Sequence, residues 1–283
     1  MPSFRQTCSA ISRWFRPPDD RNAFALTPRH RKRFLVNDSH KILYCPIEKN
    51  SCTLFKRILI LNSEFSEQFI ASTLDPHTFL KQTGLMKPEN ATPFQDADYL
   101  RFIIVREPLE RIVSAYMNKF VRSKRYKIAL KITQDYRRQF DQPYDENRLL
   151  NFSEFVQHIS KQKNQEMDVH WRPQIDFVRH EFELFQYKVT MERIADFISI
   201  LSGRMGVELD ASKTANQNHY ATYPPGMNFH ITPPEELRQL KSVPEADSLL
   251  TPELRNVLTQ RYARDIELYQ ECVDSKWPDD PIS

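Results

Sequence analysis

The sequence predicts an α/β protein, a parallel sheet flanked by helices in a single domain. Three observations carry that prediction. Short apolar runs at Lys41–Cys45 and Tyr99–Val105 each pass directly into a loop and a helix-patterned segment, as strands buried on both faces do. A helix-and-loop connection lies between them, which makes a βαβ arrangement. A third run, Tyr187–Met191, repeats the step.

Taken in order, residues 1–40 read as an irregular lead-in whose basic cluster, Arg29 to Arg33, suits a solvated arm. The domain is expected over 41–275. After the strand Lys41–Cys45 comes a polar loop with Lys49, then a helix Thr53–Leu61 with Thr53 as its N-cap. Residues 62–98 form a connection broken at Asp75-Pro76 and Gly84. The run Tyr99–Val105 is bounded by charge and leads into a helix over 106–120. There Pro108 fits the first turn, and Glu107 and Glu110 favour the positive end. Leu109, Ile112, Val113, Tyr116 and Phe120 share one face of that helix, with Ser114 off it.

Residues 121–148 show no convincing period and read as an insertion or flap, with Arg122–Lys131 a solvated face. A short helix is expected over Ser153–Lys161, followed by the unusual cluster DVHWRPQIDFV at 168–178. The helix from Glu192 presents Ile194, Phe197, Ile198 and Leu201, with Gly203 just past its end. A polar loop covers 204–231. Thr232-Pro233-Pro234 and Thr251-Pro252 each read as an N-cap followed by a first-turn proline. The last helix turns Leu254, Val257, Leu258, Tyr262, Ile266 and Tyr269 inward.

Composition narrows the function. A net charge of +3 gives no reason to expect a nucleic-acid partner. No run approaches the roughly 18 apolar residues of a membrane span, and the N-terminus lacks the apolar core of a secretory signal. Cys8, Cys45, Cys52 and Cys272 are scattered without a CxxC pair, so no zinc site or disulfide framework is expected. A cytoplasm-like compartment follows. The glycines (Gly84, Gly203, Gly206, Gly226) all lie away from the Lys49 loop. Walker A and GxGxxG loops need glycine there to wrap a phosphate, so P-loop kinase and Rossmann dehydrogenase readings lose their footing. A strand-to-helix loop still gathers backbone N–H groups at the positive end of a helix. With Lys49 in one such loop and Arg106 opening the next helix, the chain offers two seats for the anionic groups of an activated cofactor.

Two separated blocks then match one pattern. KNSCTLFKR (49–57) resembles the 5′-phosphosulfate loop of membrane-type carbohydrate sulfotransferases, and VREPLERIVSAYMNKF (105–120) resembles their 3′-phosphate block. HWRPQ (170–174) resembles a segment of the chondroitin, dermatan and HNK-1 branch, and YKVTMERIADFISIL and RYARDIELY resemble later elements. The resemblance covers roughly 41–270. It implies the P-loop-like sulfotransferase fold, 3′-phosphoadenosine 5′-phosphosulfate (PAPS) as donor, a hydroxyl acceptor on a sugar, and no metal. It also implies that Lys49 and the residues Asn50, Ser51, Cys52 and Thr53 hold the 5′ group, with Lys56 adding positive field. Arg106 and Ser114 would hold the 3′-phosphate. His77 between the blocks takes the place of the general base, and His170 and Trp171 shape the acceptor cleft or anchor a loop. The Ser212–Thr222 loop, with Lys213, Asn218 and His219, would fold over the cofactor, and an acidic glycan would meet Arg122–Lys131. A non-catalytic glycan- or nucleotide-binding protein and a kinase with a degenerate loop are the alternatives. The Golgi lumen replaces the cytoplasm if an anchor is missing from this sequence.

Overall fold

In a computed structural model, residues 31–123, 127–143, 148–178, 182–209, 220–221, 223 and 227–278 are described. The strands β1 (Leu35–Asn37), β2 (Ile42–Cys45), β3 (Leu100–Val105) and β4 (Tyr187–Thr190) form one sheet in that spatial order. β2, β3 and β4 are mutually parallel, with Cys45 opposite Ile103 and Val105 opposite Thr190, while β1 runs antiparallel along β2. The longer helices, in chain order, are α1 (Cys52–Leu61), α2 (Ser66–Ser72), α3 (Pro76–Thr83), α4 (Pro108–Tyr116), α5 (Lys127–Gln139), α6 (Phe152–Lys161), α7 (Ile194–Met205), α8 (Pro252–Arg261) and α9 (Ala263–Asp274). The α/β expectation of a mostly parallel sheet flanked by helices therefore holds.

Two compact units make up this domain, each drawn from several stretches of chain. The first takes the described residues of 1–105, 174–215 and 267–283, and the second those of 106–173 and 216–266. In the first, alternation along the strands sends side chains to opposite faces. Tyr44, Phe102, Ile104 and Val189 pack with Phe55 of α1 and Phe197 of α7. Leu43, Cys45, Ile103 and Val105 pack on the other side with Phe177, Val178, Leu268 and Cys272. The sheet is thus buried on both faces, which is why its strands read as largely apolar runs. Tyr44 and Phe102 stack with ring centroids 4.5 Å apart. The second unit is mostly helical. Tyr116 of α4 and Phe155 of α6 pack together with Leu254 and Leu258 of α8.

Several expectations need correction. The lead-in is not irregular to residue 40, because Phe34, Leu35 and Val36 are buried and β1 pairs with β2. Residues 127–139 of the supposed flap are helical, and Ala129, Ile132, Thr133 and Tyr136 form a buried stripe at helical spacing. The stripe is narrow and half of it is Ala and Thr, so the Lys- and Arg-rich surroundings hide it. Gly203 lies inside α7. Gly206 ends that helix at φ 67°, a left-handed value that suits glycine. Thr232 does not cap its helix, whose N-cap is Pro233. The polar loop 204–231 contains a strand residue pair, Tyr220–Ala221, facing Val243–Pro244. The last helix breaks at Tyr262, and Val257 faces solvent. Thr251 does cap α8, accepting from Leu254 N.

Phe102 stands between Tyr44 and Phe197, with Phe55 beside it. Phe102→Ala is expected to destabilise the fold by about 3–5 kcal/mol, read as a shift of the urea midpoint with m unchanged.

Candidate active site

Between β2 and α1 the chain has six residues, 46–51, in which to reverse into a helix. It does so with two non-glycine residues in the left-handed region, Lys49 at φ 71° and Ser51 at φ 54°. Each such residue costs about 1–2 kcal/mol, so something must hold the loop there. Asn50 between them does. Its side chain is fully buried, and Nδ2 donates to Ile104 O at 2.9 Å and to Gln174 Oε1 at 2.6 Å. The missing glycines therefore exclude a Walker A sequence but not a tightly turned loop.

Ser51, not Thr53, is the N-cap residue of α1. Its side chain makes no capping hydrogen bond, and no acidic residue lies in the first turn. The first turn of α1 thus carries no carboxylate of its own, which favours an anion there, although Glu48 of the preceding loop acts on Cys52. Thr53, freed from capping, sits at the second helical position with Oγ1 2.8 Å from His77 Nε2. Lys56, one turn further, is buried, and its Nζ lies 3.0 Å from His77 Nδ1. Arg57 is exposed. Cys52 is buried with Sγ 3.9 Å from His77 Nε2. Burial pushes its thiol up despite nearby Lys56, so it is a small packing residue and not a thiolate.

His77 opens α3, where Asp75 caps the helix by accepting from the N–H groups of His77 and Thr78. Its ring bonds fix its tautomer. A lysine ammonium can only donate, so Nδ1 accepts and the proton sits on Nε2, facing Thr53. A general base needs a bare nitrogen toward its substrate. In this tautomer the nitrogen of His77 able to take a proton is the one that meets Lys56.

In the second unit, Glu107 caps α4 by accepting from Glu110 N, and Arg106 pairs with Glu110 at 3.3 Å. Arg106 keeps 14% of its side chain exposed, and Ser114 is half-buried beside the apolar stripe. Trp171 does not line a cleft. It is fully buried, and its carbonyl accepts from Tyr262 Oη at 2.6 Å. His170 is partly exposed and pairs through Nδ1 with Asp168 Oδ1. Arg111, which the sequence reading passed over, is buried and donates to Arg172 O at 2.9 Å and Val169 O at 3.1 Å. An arginine inside an otherwise apolar helical stripe was the available signal. Lys213, Asn218 and His219 lie outside the described residues, as do residues 124–126 of the basic stretch. Among the described residues, no helix is long and apolar enough to cross a membrane, and no cluster of His, Cys, Asp and Glu is suited to a metal ion.

The chain belongs to the sulfotransferase family, whose model matches residues 32–270. It is 30% identical over 220 residues to human (Homo sapiens) carbohydrate sulfotransferase 10, covering 70% of this chain and 57% of that one. Carbohydrate sulfotransferase 14 of Danio rerio is 28% identical over 194 residues, covering 65% and 52%. Carbohydrate sulfotransferase 11 of the same species is 32% identical over 123 residues, covering 41% and 32%. The chain thus spans little more than half the length of the first two relatives. No solved structure matches it. The family match begins at residue 32 and so includes β1.

Asn50→Ala removes both loop ties and leaves the Gln174 side chain buried without this donor. It is expected to cost about 1–3 kcal/mol, measured by urea unfolding, and to speed amide exchange at Lys49–Thr53. Asp168 gives a pH signature. Burial pushes its carboxyl up, but hydrogen bonds from the His170 ring and backbone outweigh this and hold it below the usual range. Its stabilisation is therefore present above the usual carboxyl value of about 4 and fades as pH falls through the lower folded value. Thermal melts from pH 6 to 2 should show Asp168→Asn losing part of the acid-side slope.

Proposed function

We propose that this chain transfers a sulfuryl group from PAPS to a hydroxyl of a carbohydrate by in-line displacement. Family membership supports the reaction class, and the names of the relatives support a carbohydrate acceptor. The observation that carries it is the Lys49 loop, a backbone turned back on itself at an uncapped helix start, with a cation on the turning residue itself. That is a fitting receptacle for a phosphosulfate.

In this reading the backbone of Asn50–Thr53 and the Thr53 hydroxyl bind the 5′ group. Lys49 meets the bridging oxygen, where negative charge grows as the S–O bond breaks. Lys56 adds a second cation from within α1. Arg106, with its planar fork, and Ser114 hold the 3′-phosphate, the task their block performs in the family. Asn50 contributes backbone only, since its side chain is committed to Ile104 and Gln174. His77 belongs to the donor side as the partner of Thr53 and Lys56. PAPS supplies the activated sulfuryl group, and no step here calls on a metal. The compartment stays with the sequence reading, cytoplasm-like or, with an anchor beyond this sequence, the Golgi lumen. The described cysteines, free and buried, fit either.

Titration calorimetry with the product nucleotide, 3′-phosphoadenosine 5′-phosphate, tests the proposal. Wild-type protein should bind, and Lys49→Ala and Arg106→Ala should each weaken binding by about tenfold or more, as expected for a lost charge-assisted contact. No binding by the wild type would overturn it. Labelled PAPS offered with a mixed glycan panel should label at least one acceptor.

A further inference from the structure

Lys56, His77 and Thr53 form one line of hydrogen bonds within the first unit, and the buried end sets its direction. Lys56 is only 8% exposed. Among the described residues no carboxylate pairs with its ammonium, and His77 Nδ1, at 3.0 Å, is the acceptor it meets. A second cation, Lys87, stands close enough to act on it. The Lys87 side chain is partly buried with Nζ 3.5 Å from Phe34 O, and burial together with the Lys56 charge holds its amine below the usual lysine range. The Lys56 ammonium thus has another cation within reach and no ion-pair partner among the described residues, a setting that favours an anion nearby.

Thr53 is the exposed end of the line. With Nδ1 spent on the ammonium, Nε2 carries the ring proton and gives it to Thr53 Oγ1 at 2.8 Å. Cys52 Sγ lies farther from Nε2, at 3.9 Å, and is the weaker acceptor. A hydroxyl has one proton and two lone pairs. The imidazole occupies a lone pair, so the Thr53 proton points away from His77. Among the described residues Thr53 Oγ1 has no second partner, and the residue is exposed. Its proton is therefore left for an incoming acceptor. The hydroxyl sits in the first turn of α1, beside N–H groups that a helix leaves without intrahelical partners. Ser51 supplies no side-chain cap for them. A hydroxyl locked as a donor beside uncapped N–H groups suits one kind of ligand group, an oxyanion with several lone pairs to offer.

We propose that His77 is a positioning residue for the 5′-phosphate of PAPS: it pins Thr53 Oγ1 from behind, so that the hydroxyl proton is directed onto a phosphate oxygen, and it holds the Lys56 ammonium in line behind the ring. This rests on the sulfotransferase reading above. It gives the histidine between the two motif blocks a task on the nucleotide in place of one on the acceptor hydroxyl. No proton changes owner in the arrangement. The imidazole stays neutral and Lys56 stays a cation. The Thr53 hydroxyl is already oriented before the S–O bond breaks, so it needs no turning as charge grows on the departing 5′-phosphate.

Two measurements test the assignment, and neither needs a glycan. In nitrogen-15 NMR of labelled imidazoles, the His77 signal is assigned by its loss in His77→Ala protein. It should show a bare Nδ1 and a protonated Nε2, with and without the product nucleotide. A ring protonated on Nδ1 alone would overturn the proposal. The second measurement compares calorimetry of 3′-phosphoadenosine 5′-phosphate with that of adenosine 3′-phosphate, which lacks the 5′ group. His77→Ala and Thr53→Val should each weaken binding of the bisphosphate about tenfold, the scale of a lost hydrogen bond to a charged group, and weaken adenosine 3′-phosphate far less. The double variant should lose no more than either single one, because the two residues act through one contact. Equal weakening of the two nucleotides by His77→Ala would mark a merely structural histidine and overturn the proposal. Wild-type affinity for the bisphosphate in His77→Ala, the result for a residue that works only on the acceptor, would overturn it too, as would wild-type affinity in Thr53→Val. Each of these results leaves the sulfotransferase reading standing. A wild type that does not bind the bisphosphate would overturn that reading as well.

Discussion

A single buried amide governs the loop between β2 and α1. Asn50 spends both side-chain N–H groups at once, one on the carbonyl of Ile104 near the end of β3 and one on Gln174. Those two bonds fix where the loop sits against the sheet, and the flanking left-handed residues follow. Lys49 and Ser51, at φ 71° and 54°, flank that tie. The start of α1, the reach of Thr53 toward His77 and the place of Lys49 all depend on that tie.

The burial of Lys56 has a related logic. A lysine inside a protein must find acceptors for its ammonium, and His77 provides one. The imidazole in turn finds its second partner in Thr53, an exposed residue at the helix start. Three side chains from α1 and α3 therefore form a chain of donors and acceptors running from the interior to the surface. Its polarity is set at the buried end, by a group that cannot accept.

What was legible in the sequence follows from how each signal is encoded. β2, β3 and β4 stood out because burial on both faces leaves them mostly apolar, with Arg101 and Lys188 as the charged interruptions in β3 and β4. α4 stood out through Pro108 and its apolar stripe, and Asn151 and Glu154 form the capping box that starts α6. β1 is three residues long and follows a basic run, so charge concealed it. α5 was missed because alanine and threonine do part of the burying. The Lys49 block and the Arg106 block were legible as motifs, yet the contacts that give them meaning were not. His77 meets Lys56 and Thr53 across 21 and 24 residues of sequence, and Asn50 meets Gln174 across 124. No local pattern reports such pairings. His77 was found by position, but which of its ring nitrogens accepts could not be read there, because the donor–acceptor sense of a hydrogen bond belongs to the neighbour.

Many phosphate-binding loops divide their labour: glycines bend the chain, and a lysine elsewhere in the loop brings the charge. Here Lys49 does both, since the residue with φ 71° is also the residue with the ammonium. Shape and charge therefore cannot be tuned apart by changing one position. Glycine at 49 would ease the backbone and discharge the site, and any longer side chain kept for its charge must keep the strain. The loop is thus constrained twice over at this residue, beside the tie that Asn50 makes.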